Sequence, residues 1–346
     1  MPIRWFVPMA DASSETPPVR VRWVALAAAG LALVVVAAVA ISRTSADSPT
    51  VGSPPAPQTQ IPAVPMHTSP VFESLGAWID IYDHAAWNHP AQTIRTMKAN
   101  GVRTIYIQSS NYSHHVAFVY PGGIARYVDL AHKNGMQIVA WYLPSFQDVA
   151  TEAQRAAAAI RFRTQQGEGF DGFGLDIEAP IVKTPSVRTS RLLTLSSRIR
   201  QVAGPSYPLA AIIPSPTGVQ NTRGYWPGFP YGGLTHSFNA FLPMTYFTWR
   251  VKSPKGAYRY TSGNINIIRQ ETGDPTVPIN VIGGLSNQAT TSETRAFVNA
   301  IRDRRAMGAS YYAFSGTTRR QWSQLARIPD LVAASGSGSP SGAGSG

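Results

Sequence analysis

The chain has 346 residues and a formal net charge of +12, with 44% hydrophobic and 14% charged residues. That apolar fraction excludes a wholly disordered polymer, and the length accommodates one large domain or two ordinary ones. Cys is absent, which excludes disulfides, thiolate nucleophiles, iron–sulfur clusters and Cys-based zinc sites.

Residues 1–22 are expected to be a cytoplasmic N-terminal segment. The stretch 23–41 carries no charge, and at about 1.5 Å per residue it nearly crosses a hydrocarbon core of roughly 30 Å. It predicts a single transmembrane helix or signal anchor over 23–42. Arg4, Arg20 and Arg22 precede it and only Arg43 follows closely, so everything beyond is placed outside the cytoplasm. Ala38-Val39-Ala40 also fits a cleavage site, which leaves secretion after signal cleavage as the alternative. Residues 43–70, rich in Pro, Ser and Thr, read as a semi-extended linker, and 334–346 as a Gly/Ser-rich disordered tail.

Between them, 71–333 repeats one pattern: a helical stretch, a Gly stop, then a short apolar strand. Strands are expected at 77–82, 104–108, 137–142, 172–177, 209–213, 240–246, 278–282 and 310–314. Helices are expected at 91–99, 124–133, 149–166, 187–202, 263–271, 292–307 and 320–331. Eight strands alternating with helices predict an α/β fold, a (β/α)₈ TIM barrel, over a doubly wound sheet. No Gly-rich phosphate loop follows the first strand, so no nucleotide cofactor is expected.

In such barrels chemistry sits where strands end. The fourth strand and its exit read Phe170-Asp171-Gly172-Phe173-Gly174-Leu175-Asp176-Ile177-Glu178-Ala179-Pro180. Alternation puts Gly174, Asp176 and Glu178 on one face and Phe173, Leu175 and Ile177 on the other. The polar set then points into the barrel and reaches its rim. Two carboxyls this close disfavour double ionisation, so one should keep its proton, as a general acid must. The other reading of the pair is a structural or cation-binding one. Asp80 and Asp83, at the end of the first strand, are candidates for a second carboxyl, or else for turn and cap hydrogen bonds.

The run Asp171-x-x-Gly174-x-Asp176-x-Glu178 resembles the DxxDxDxE motif of glycoside hydrolase family 18, the chitinase-like barrels, with Gly174 at the middle acidic position. The resemblance implies that Glu178 is the proton donor and that Asp176 orients the substrate's acetamido group. Met244-Thr245-Tyr246 resembles that family's Met-x-Tyr element, which implies a substrate contact for Tyr246. A shorter D-x-E is similar to the lysozyme-like family 25, whose first strand carries an inward Asp to which Asp80 is nearest here.

Aromatic rings near strand ends supply the other expectation. Trp78, Trp141, Tyr142, Trp226 and Trp249, with Met244 and Asp83, are candidates for substrate binding, because flat rings stack on sugar faces; ordinary packing is the alternative for each. His114-His115 lacks carboxylates at ligand spacing, so no metal is expected, and the scattered basic residues resemble no nucleic-acid module. Together these readings predict a monomeric, membrane-anchored, extracytoplasmic glycoside hydrolase acting on cell-wall or N-acetylamino-sugar polysaccharide. A glycan-binding barrel that has lost turnover is the alternative.

Overall fold

The structure, a computed structural model, describes residues 69–331. The expected membrane segment, nearly all of the linker and the 334–346 tail lie outside the described residues. Among the described residues no helix is long and apolar enough to cross a membrane.

Eight parallel strands pair in chain order and close on themselves. They are β1 (Ser74–Ile79), β2 (Thr104–Asn111), β3 (Gln137–Leu143), β4 (Gly172–Asp176), β5 (Leu209–Pro214), β6 (Ala240–Met244), β7 (Asn280–Gly284) and β8 (Gly308–Tyr312). Between β1 and β5 run α1 (His84–Asn88), α2 (Pro90–Ala99), α3 (Pro121–Lys133), α4 (Val149–Arg161) and α5 (Pro185–Ala203). Further on come α6 (Pro216–Asn221), α7 (Tyr231–Leu234), α8 (Pro254–Thr272), α9 (Thr291–Asp303) and α10 (Arg319–Leu325). This is the predicted (β/α)₈ architecture.

Strand alternation sorts the core into two layers. Leu75, Ala77, Ile79, Ile138, Ala140, Phe173, Leu175 and Phe241 face the helices. Trp78, Tyr106, Val139, Trp141, Ile212, Leu242 and Met244 fill the inside of the ring. The floor of the ring, at the strand starts, is laid by a 3-10 turn, Pro70–Phe72. Val71 O accepts from Thr104 Oγ1 at 2.8 Å and Phe72 O from Asn280 Nδ2 at 2.9 Å.

Several boundaries differ from expectation, and three of them have a plain local reason. β1 begins three residues early, because Ser74 pairs with Gly308 of β8 and its N–H bonds Met307 O. Asp80 and Tyr82 therefore lie beyond the strand. Helix α4 stops at Arg161, where Phe162 turns extended (ψ 137°) and Thr164 N–H closes a turn on Glu168 O. Helix α8 starts at Pro254 despite Gly256 and Gly263, since Ser253 Oγ caps Gly256 N–H at 3.1 Å.

Candidate active site

The last inward positions of four strands meet at the mouth. On β4 the inward parity of Gly174 and Asp176 continues to Glu178. On β1 it continues from Trp78 to Asp80, on β6 from Met244 to Tyr246, and on β8 from Ser310 to Tyr312.

Asp176 is 5% exposed, and its Oδ1 has no hydrogen-bond partner among the described residues. Burial, then the neighbouring Glu178 charge, holds the Asp176 carboxyl well above the usual carboxylate range. Burial pushes the part-buried Glu178 up to about 7. The Tyr246 hydroxyl is driven well above the ordinary phenol range by burial and by the charges of Glu178, Asp176 and Asp80. Tyr246 thus lies within electrostatic reach of all three carboxyls. Such a pair of acids can hold a proton near neutral pH and release it to a bound oxygen.

Asp80 is fixed on both oxygens. The Tyr312 hydroxyl donates to Oδ2 at 2.6 Å and the Tyr82 N–H to Oδ1 at 2.8 Å, while Trp87 Nε1–H bonds the Asp80 carbonyl at 2.8 Å. The ring of Tyr312 lies 5.7 Å from that of Tyr246, and Trp249, 44% exposed, meets Tyr246 edge-on at 5.3 Å. Tyr312 was not among the residues expected from the sequence. Its signal was there: it is the last inward residue of β8, at the same parity as Ser310.

Other expected residues are placed elsewhere. Asp83 caps α1 through Oδ1 to Ala86 N–H at 3.1 Å, and its Oδ2 has no hydrogen-bond partner among the described residues. Trp78 and Trp141 lie inside the ring below the mouth: Trp78 stacks on Tyr106 at 4.4 Å and meets Trp141 edge-on at 5.8 Å. Met244 joins the same interior cluster. Tyr142 faces the helices, where Arg155 Nη1 donates to its hydroxyl at 2.9 Å, because two consecutive strand residues cannot both face inward. Trp226 is fully buried, donates from Nε1 to Thr189 Oγ1 at 2.9 Å and lies 3.9 Å under the Arg188 guanidinium. It is therefore a packing residue rather than a sugar platform.

Two features of the motif are structural. Asp171 Oδ2 accepts from Ile138 N–H at 2.7 Å and lies 3.0 Å from His132 Nε2, so it ties β3 to β4 at their starts. At Gly174 a Cβ would sit 2.7 Å from Ile212 Cδ1, so a side chain there needs the tip of Ile212 to move aside. Asn111, in the Asn-Tyr-Ser run, is 2% exposed, and its Oδ1 accepts from Ser113 N–H at 3.0 Å and lies 2.9 Å from His114 Nδ1.

No family model and no curated protein matches the chain. Solved structures do. An endo-β-1,4-mannanase of Thermotoga petrophila superposes with a TM-score of 0.58 at 11% identity, covering 79% of this chain and 78% of that one. A family 18 chitinase of Cycas revoluta, solved with (GlcNAc)₃, gives 0.54 at 9% identity, covering 76% and 99%. The chitinase of Chromobacterium violaceum gives 0.51 at 9% identity, covering 73% and 98%. The chain thus has the (β/α)₈ barrel fold that these glycoside hydrolases share. At such identities the likeness concerns the fold, and the chemistry has to be argued from the mouth itself.

Proposed function

We propose that the protein is a glycoside hydrolase in which Glu178 is the general acid, acting on a polysaccharide of the cell envelope. The observation that carries this reading is the convergence of Glu178, Asp176, Asp80 and Tyr246 at the strand ends, with the Glu178 carboxyl pushed up to about 7. A glycosidic oxygen beside Glu178 receives its proton as the bond to the anomeric carbon breaks. Burial keeps Glu178 protonated up to about 7, because its charged form loses solvation there. The exposed Trp249 ring beside Tyr246 offers a face on which a sugar can stack. The uncharged stretch 23–41 supports a membrane anchor with the barrel outside the cytoplasm, acting as a monomer.

The test is a screen of the full chain, in detergent, against wall glycans and β-linked oligosaccharides, beside Glu178→Gln. Hydrolysis by the parent and loss of about three orders of magnitude in the variant supports the reading. Equal turnover by both removes Glu178 as the acid. The alternative, a glycan-binding barrel without turnover, is favoured by the missing acid at Gly174; binding of a glycan with no reducing ends released would select it.

A further inference from the structure

We propose that Asp80, held by Tyr312, is the second catalytic carboxyl of the site, so that the glycan it cleaves needs no 2-acetamido group. The inference rests on the hydrolase reading above and specifies its substrate class.

Three observations lead to it. First, Asp80 is built to stay in one place. Its two oxygens are gripped by the Tyr312 hydroxyl (2.6 Å) and the Tyr82 N–H (2.8 Å), and its carbonyl by Trp87 Nε1–H (2.8 Å). A carboxyl at the rim of β1 that only capped a turn would not need a tyrosine brought from β8. Second, that tyrosine joins the two acidic sides of the mouth. The Tyr312 hydroxyl bonds Asp80 at 2.6 Å and its ring lies 5.7 Å from that of Tyr246. Asp80 and Glu178 both act electrostatically on this pair of rings. Third, the route through a substrate acetamide lacks its charge. Attack by an acetamide oxygen on the anomeric carbon leaves a cationic ring, which an ionised carboxylate beside the acetamide nitrogen has to balance. Asp176 is buried with Oδ1 unpartnered among the described residues, and burial and Glu178 both favour its neutral form.

The step balances with water alone. The bond from the anomeric carbon to the leaving oxygen breaks, and that oxygen takes the Glu178 proton with the bonding pair. The anomeric carbon receives a pair either from Asp80 itself or from a water whose proton passes to Asp80. In the first case water later cleaves the ester, giving its proton to Glu178 and freeing Asp80; in the second Asp80 releases its proton to solvent and Glu178 regains one from it, and one water is consumed either way.

The experiment uses the full chain and oligosaccharide pairs that differ only at C2, hydroxyl against acetamido: cello- and chito-oligosaccharides, with manno-oligosaccharides as a second hydroxyl series. The expected result is kcat/KM on a hydroxyl series equal to or above that on the acetamido series. Asp80→Asn should lower kcat on every cleaved substrate by about 10³-fold, with KM little changed. Tyr312→Phe should lose roughly 10–100-fold in kcat with KM little changed, because Asp80 loses the donor that fixes its Oδ2. A purely structural tyrosine would lower stability without this kcat-against-KM split. Added azide or formate should restore part of the turnover of Asp80→Gly. Cleavage confined to the acetamido series, with Asp80→Asn still active and Glu178→Gln inactive, overturns this inference and leaves the hydrolase reading standing. Activity that survives Glu178→Gln overturns both. If Asp80→Asn melts early, Tyr312→Phe and the C2 comparison decide the matter.

Discussion

The Tyr225 hydroxyl donates a 3.0 Å hydrogen bond to the main-chain carbonyl of Glu178. Tyr225 stands in the excursion between α6 and α7, and Arg188 of α5 fastens that excursion. The Arg188 guanidinium is 2% exposed, donates to the Tyr225 carbonyl, and spreads over the rings of Trp226 (3.9 Å) and Tyr225 (5.5 Å). The backbone of the proposed acid is thus tied to a helix through one loop.

Tyr225→Phe tests the first link. It leaves the Glu178 carbonyl short of a donor, a loss of about 1 kcal/mol in positioning. We expect kcat to fall about fivefold with KM unchanged, measured on whichever glycan the parent cleaves.

Arg188→Ala removes a buried cation, its ring contacts and a carbonyl's partner together. The expected destabilisation is about 2–4 kcal/mol, read as the shift in denaturant midpoint at constant slope. A change under about 0.5 kcal/mol would show that the excursion is held by its aromatic packing alone.

The pH dependence follows from the raised carboxyls. Glu178 sits at about 7 in the fold, above its ordinary value. Its neutral form is favoured there, so its contribution to stability is full in acid, below the unfolded value. That contribution is lost as pH rises through about 7, and Asp176 acts in the same direction. Thermal melts at pH 5 and pH 8 should therefore differ less in Glu178→Gln than in the parent. Hydrolysis should likewise decline above about pH 7, as the acid loses its proton.

Gly174→Ala places a methyl 2.7 Å from Ile212 Cδ1. Overpacking of this kind costs about 1–3 kcal/mol, and Ile212→Val in the same chain should recover part of it. Additive losses in the double-mutant cycle would show that the two side chains do not compete for that space.

Much of this arrangement was legible in the sequence because the barrel repeats a local pattern. Gly stops such as Gly135, Gly204 and Gly273, each at positive φ, punctuate helix and strand, and parity alone puts Asp176 and Glu178 inward. Parity carries no depth, however. Trp78 and Trp141 face inward as their positions imply, yet lie beneath the mouth, Trp78 stacked on Tyr106 and Trp141 edge-on to Trp78. It also rules on neighbours: with Trp141 inside, Tyr142 had to face Arg155. The partners of loop residues were not legible at all. Trp226 under Arg188, and Glu152 Oε1 accepting from Ser145 N–H at 2.6 Å and Phe146 N–H at 3.0 Å, join segments that only the fold brings together. Phe146 has φ 63°, a left-handed turn that a Phe in the sequence does not announce.

The turn Pro70–Phe72 gives the domain its handle. Its carbonyls occupy Thr104 and Asn280 at the end of the ring away from the acids. A shortened version begun after Phe72 would strand the Thr104 hydroxyl, leave Asn280 Nδ2 with Ser74 O alone and uncork the cylinder from below.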